Sequence, residues 1–140
     1  MIGSPDQLAV SRLTLTNFRN YAQGRLEVDG RPVVLTGANG VGKTNLLEAL
    51  SFLVPGRGLR RAKLSEIGRR SASTGAFGAE WAVAAKLRVG ENDMEIGTGI
   101  EVSETPNGRD KRVIKIDGTV MKSQAELGRY TSAQWLAPQM

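Results

Sequence analysis

The sequence predicts an α/β fold with two unequal parts: a strand, glycine-rich loop and helix in the first half, and an antiparallel β lobe in the second. Three observations predict it. The β-branched run Val33-Val34-Leu35-Thr36 leads directly into Gly37-Ala38-Asn39-Gly40-Val41-Gly42-Lys43-Thr44. A strongly apolar stretch with helical content follows at 43–54. Segments 81–89, 94–102 and 112–116 are strand-like and separated by turn chemistry, Gly90-Glu91-Asn92-Asp93 and Thr105-Pro106-Asn107-Gly108.

Taken in order, residues 8–18 alternate apolar and polar side chains through Leu13 and Leu15, break at Thr16-Asn17 and resume at Phe18, which predicts a half-buried strand. Residues 25–28 predict a short second strand, and Asp29-Gly30 a turn. The run at 33–36 predicts a strand buried on both faces. In the helix at 43–54, Leu46, Leu47, Ala49, Leu50, Phe52, Leu53 and Val54 cover most of the surface and leave Glu48 as its only carboxylate, so a largely interior helix is expected, ended by Pro55-Gly56. Ser123 can cap a short helix at 124–130, with Glu126 completing a capping box. A last strand at 134–137 runs up to the end of the sequence, which suggests a truncated protein. No internal repeat or low-complexity tract interrupts this order.

Composition bounds the chemistry. The 140 residues include 19 Lys and Arg against 14 Asp and Glu, a net charge of +5, and no His or Cys. A disulfide framework, a thiol nucleophile, a zinc finger and an imidazole acid or base are therefore excluded, because each needs a thiolate or a ring nitrogen. Any metal must be a hard ion on oxygen ligands. Apolar residues at 40% and charged residues at 24% suit one globular domain. The longest apolar stretch, 46–55, is too short for a bilayer and contains Glu48, and the first ten residues lack the pattern of a signal peptide, so a soluble, cytoplasmic protein is expected. The basic excess suits an anionic partner, but on composition alone it reads first as a solvated cationic surface.

Gly37 to Thr44 fits G-x-x-x-x-G-K-[ST], the phosphate-binding loop. Its glycines admit backbone torsions closed to other residues, so that successive amides converge on phosphate oxygens. The helix opening at Lys43 adds its positive dipole end there. Lys43 is expected to bridge the β and γ phosphates, and the Thr44 hydroxyl to ligate Mg²⁺. A strand before the loop and an apolar helix after it are the context such a motif requires. No apolar run after the loop ends in Asp or Glu, so a second acidic motif is not evident. Glu48 reads as a partly buried polar residue rather than a base, and Glu66, Glu80 and Glu91 read as surface.

Leu13-Thr14-Leu15-Thr16-Asn17-Phe18-Arg19-Asn20-Tyr21, the extended loop Gly37 to Thr44 with Asn45-Leu46-Leu47-Glu48-Ala49-Leu50, and Gly56-Arg57-Gly58-Leu59-Arg60 together resemble the RecF family of bacterial DNA replication and repair proteins. The similarity runs from about Leu8 to the end, including Trp135-Leu136, Pro138 and Gln139. The resemblance implies the N-terminal portion of an ABC-type ATPase head, related to the structural-maintenance-of-chromosomes ATPases and incomplete without a C-terminal half. Strands, loop and first helix would occupy 1–65, the β lobe 66–121, and a short helix and strand into a Q-loop 122–140. It further implies ATP-dependent homodimerisation, slow hydrolysis, DNA binding, cooperation with RecO and RecR at single-strand gaps, and a part in the SOS response.

The resemblance assigns Gly37, Ala38, Asn39, Gly40, Val41, Gly42, Lys43, Thr44 and Asn45 to nucleotide, with Arg19 near the phosphates. Gln139 resembles the Q-loop glutamine that reaches Mg²⁺ and the attacking water. Arg60 resembles an arginine directed toward nucleotide or DNA, and with Arg57, Arg61 and Lys63 it forms a basic cluster suited to DNA phosphates. As bare sequence features, Arg19 reads as a strand-end surface arginine and the cluster as a solvated loop. The signature segment, the acidic strand with its catalytic carboxylate and a helical arm do not occur in these residues. This chain alone is therefore not expected to hydrolyse ATP, and a sheet edge beside 33–35 is expected to lie open. A P-loop kinase of a small metabolite remains an alternative, as does a nucleic-acid-binding module with a structural nucleotide. The scattered aromatics Tyr21, Trp81, Tyr130 and Trp135 argue against a stacking platform in the latter.

Overall fold

Period-two alternation produces most of the architecture seen in the computed structural model, which describes residues 8–38, 40, 42–69, 80–101, 103–105 and 107–135. The strands are β1 (Leu8–Phe18), β2 (Tyr21–Glu27), β3 (Ala82–Val89), β4 (Asn92–Glu101), β5 (Lys111–Ile116) and β6 (Thr119–Val120). They form one six-stranded sheet in the order β2-β1-β3-β4-β5-β6. Every neighbouring pair is antiparallel. The register of β1 on β3 shifts between Val10 and Arg12, and the Ser11 hydroxyl at that bulge donates to the Lys86 carbonyl at 3.1 Å.

Alternate residues of the central strands bury Leu13, Leu15, Val83, Leu87, Ile96, Ile114 and Ile116 on one face. The helix α1 (Lys43–Ser51), Phe52, Leu53, Ile67 and Leu127 contribute to the same core. At its centre the ring of Phe18 meets those of Phe52 and Trp81 edge-on, at 6.1 and 5.6 Å between centroids. The Trp81 indole N–H donates to the Leu64 carbonyl at 2.8 Å. No described helix is long and apolar enough to cross a membrane.

Several elements differ from expectation. Residues 33–36 form no strand: they lie outside the sheet, with Val34 84% and Val33 50% exposed. A strand needs a neighbour for its backbone donors and acceptors, and none of the six strands runs beside this segment, so no sheet edge opens there either. The edges of the described sheet are β2 and β6.

The helix stops at Ser51 rather than at residue 54, because its last turn tightens: the Phe52 amide donates to Ala49 and that of Leu53 to Leu50, each three residues back. Nor is it largely interior. Glu48, Ala49 and Ser51 are buried, while Leu47 is exposed and Leu46 and Leu50 are half-buried, because only one flank meets the sheet.

The segment after Ser123 is a 3₁₀ helix, Gln124–Arg129, without a side-chain cap. Its three-residue turn offsets the capping geometry, and the Glu126 carboxylate accepts instead from the Lys122 amide at 3.3 Å. Gln134 and Trp135 are not in a strand, and the rest of the expected 134–137 strand lies outside the described residues.

Candidate nucleotide-binding site

The glycine-rich loop opens α1. Gly37, Ala38 and Gly40 are exposed, whereas Gly42, the residue that caps the helix, is buried and left-handed at φ 109°. Asn39 and Val41 lie outside the described residues. The Leu46 amide bonds back to the Gly42 carbonyl at 3.1 Å, which leaves the amides of Lys43, Thr44 and Asn45 without an intrahelical acceptor. No side chain caps them, and no carboxylate lies in the first turn. The positive end of α1 is therefore uncompensated by its own sequence. The Lys43 ammonium donates to the Gly37 carbonyl, across the loop from its own backbone. Thr44 is exposed at the first turn.

These residues fit a polyphosphate: amides with no acceptor among the described residues, one ammonium and no first-turn carboxylate. They fit a divalent ion only as part of that ligand. No group of three Asp or Glu able to hold a metal exists among the described residues, so the Thr44 hydroxyl would share Mg²⁺ with phosphate oxygens.

Behind the loop stands a network centred on Glu48, which is 1% exposed. Glu48 accepts from Arg19 at both oxygens, Nε to Oε1 at 2.7 Å and Nη2 to Oε2 at 2.9 Å. Arg60 adds a longer contact to Oε1 at 3.4 Å and donates to the Asn45 side chain at 2.9 Å. Asn45 in turn donates to Asn20 at 2.8 Å. The hydrogen bond to Glu48 raises the Arg19 guanidinium above its ordinary pKa, against the opposing pull of burial. Arg19 is itself left-handed, φ 51°, a costly torsion for a long side chain. Its amide is fixed on the Ile67 carbonyl at 2.9 Å and its Nη1 on that of Glu66 at 3.4 Å. Glu48 is thus buried more completely than its sequence suggested, and Arg19 is pinned rather than free at a strand end.

The basic cluster divides. Arg60 is drawn onto α1, while Arg57, Arg61 and Lys63 are exposed without an ion pair among the described residues. Gln139 lies outside the described residues.

Two further side chains hold α1 in place. Tyr21 donates its hydroxyl to the Gly42 carbonyl at 3.2 Å. Arg112, on β5, reaches the far end of α1: Nη2 to the Phe52 carbonyl at 2.6 Å, Nη1 to Gly56 at 2.8 Å and to Gln124 at 2.6 Å, and Nε to Thr98 at 3.0 Å. Its guanidinium also lies 5.3 Å from the Phe52 ring centre. Burial pushes Arg112 down to about 10. A signal existed, since Arg112 shares the parity of Ile114 and Ile116 and so points inward.

The chain matches the RecF/RecN/SMC N terminal domain over residues 9–139, and it belongs to that family. Within the family the similarity is to RecF. It is 48% identical over 136 residues to the DNA replication and repair protein RecF of Rhizobium johnstonii, covering 97% of this chain and 34% of the relative. To the protein of the same name from Agrobacterium fabrum it is 46% identical over 135 residues, 96% of this chain and 34% of that one. The chain thus spans about a third of the length of the curated relatives it matches. A solved structure of the recombination mediator protein RecF with ATP, in the RecFOR pathway, superposes with a TM-score of 0.69 at 29% identity, covering 86% of this chain and 30% of that one.

Proposed function

We propose that the protein binds ATP with Mg²⁺ through residues 37–44 and couples the bound state to DNA in replication and gap repair. The observation that carries this is the mouth of α1: unpaired amides, no first-turn carboxylate and the Lys43 ammonium on the loop, in a chain similar to a RecF solved with ATP. Backbone amides from Gly37, Ala38, Asn39, Gly40, Val41 and Gly42 would cradle the phosphates, with Lys43 as the point charge and Thr44 on the metal. Bound Mg²⁺ would share the phosphate charge. Asn45 and Arg19 set the walls of the site, and Gln139 would approach the metal and the attacking water. Arg57, Arg60, Arg61 and Lys63 form the surface offered to DNA phosphates.

Hydrolysis belongs to a homodimer completed by segments beyond these residues, and RecO and RecR are the protein partners, with a role in the SOS response. Support for this wider reading is the RecF similarity alone. The testing experiment is thermal unfolding with and without ATP and Mg²⁺. At about a hundredfold excess over Kd, bound nucleotide adds roughly 2.7 kcal/mol of stability. That protection should vanish in Lys43→Ala; protection retained in the variant would make the loop merely structural.

A further inference from the structure

We infer that Asn20 and Tyr21, at the corner joining β1 to β2, are positioning residues of the phosphate loop. This rests on the reading of 37–44 as a nucleotide site. Gly42 is buried although its neighbours Gly40, Ala38 and Gly37 are exposed, and what buries it is this corner. A Cβ on Gly42 would come within 2.7 Å of the Tyr21 hydroxyl and 2.9 Å of the Asn20 amide nitrogen. Glycine is thus required there twice, by its φ of 109° and by the close approach.

The contacts have a direction. The Gly42 carbonyl accepts from the Leu46 amide at 3.1 Å and from the Tyr21 hydroxyl at 3.2 Å. One donor belongs to the helix and the other to the β1–β2 corner, so this oxygen is already committed to the protein rather than left to face, and repel, a phosphate. Asn20 accepts from Asn45 at 2.8 Å, tying the first turn of α1 to the same corner.

The corner is itself tied to the core. Phe18 pairs with Tyr21 across it and is fully buried, and Arg19 between them is held by Glu48 and by the Ile67 carbonyl. The sheet, through one hydroxyl and one amide, therefore sets where the amides of the loop point. Preorganisation of this kind is expressed as affinity, because a loop that must first be ordered loses part of its binding energy.

The test is calorimetric titration of the complete protein with ATP and Mg²⁺, for wild type, Tyr21→Phe, Asn20→Ala and Lys43→Ala, at a temperature where all are folded. Loss of one hydrogen bond's positioning should raise Kd about three- to tenfold in Tyr21→Phe and in Asn20→Ala. A purely structural role would lower the melting temperature without nucleotide and leave Kd unchanged. Wild-type affinity in both variants, with binding lost in Lys43→Ala, overturns this inference alone. Absence of binding in the wild type overturns it together with the nucleotide reading.

Discussion

The Arg19 guanidinium lies along the Glu48 carboxylate with two parallel bonds, 2.7 and 2.9 Å, and joins the β1–β2 corner to the middle of the helix that opens at the glycine-rich loop. A buried carboxylate stripped of such a partner is left as an uncompensated charge. Arg19→Met should therefore destabilise the protein by about 3 kcal/mol, and Glu48→Ala by a similar amount. The double variant should cost much less than the sum, since removing both ends leaves no orphaned charge. Urea unfolding of the four proteins checks this; strictly additive losses would contradict it.

Arg112 holds the opposite end of the same helix. Arg112→Met leaves the Phe52 and Gly56 carbonyls without the guanidinium donor and the Gln124 side chain with the Gly56 amide alone, and about 2–3 kcal/mol of stability should be lost. Arg112→Lys should recover only part, because an ammonium cannot span acceptors set for a planar fork. The urea midpoint reads the difference, and full recovery with lysine would refute the fork argument.

Stability should be nearly independent of pH from about 5 to 9, since the chain has no His and no Cys to titrate there. Below that window, Glu27 and Asp29, each lowered by the hydrogen bond from its neighbouring arginine, contribute stability that is lost as pH falls through their depressed values. Above it, Arg112 runs the other way. Its folded value of about 10 lies below that of an ordinary guanidinium, so the unfolded chain binds more protons and the cost of burying the charge is relieved as pH rises above about 10. A urea midpoint that moved substantially between pH 6 and 8 would contradict this assignment.

DNA affinity, if it runs through the basic cluster, should fall with salt, and each of Arg57→Gln, Arg61→Gln and Lys63→Gln should lower the slope of log K against log salt by about 0.7–0.9. Arg60→Gln should differ, because Arg60 is bonded to Asn45 and Glu48 and its loss also lowers the melting temperature. Fluorescence anisotropy at several salt concentrations separates the two behaviours. Slopes unchanged in all four variants would remove the cluster from the DNA surface.

Local chemistry made much of this legible. Alternation at β1, β3, β4 and β5 set the strands to within a few residues, and the glycine spacing placed the loop at the mouth of α1. What escaped depends on distant partners. The run at 33–36 has strand propensity and no neighbour to realise it, so propensity alone misled. The capping box at Ser123 assumed an α-helix, whereas the segment is 3₁₀. Glu48 stood out as the lone acid of an apolar helix, but its two arginines lie 29 and 12 residues away and no local rule pairs them. Tyr21 sits 21 residues from Gly42, and only the folded corner brings its hydroxyl there.

On the proposed function, the backbone around Gly42 and the Lys43 ammonium hold a nucleotide polyphosphate. Isothermal titration of the complete protein with ATP and Mg²⁺ tests it most directly: a saturable heat is expected, weakened at least about tenfold in Lys43→Ala by loss of a charge-assisted contact. No heat from the wild type, or the same isotherm in the variant, would contradict it.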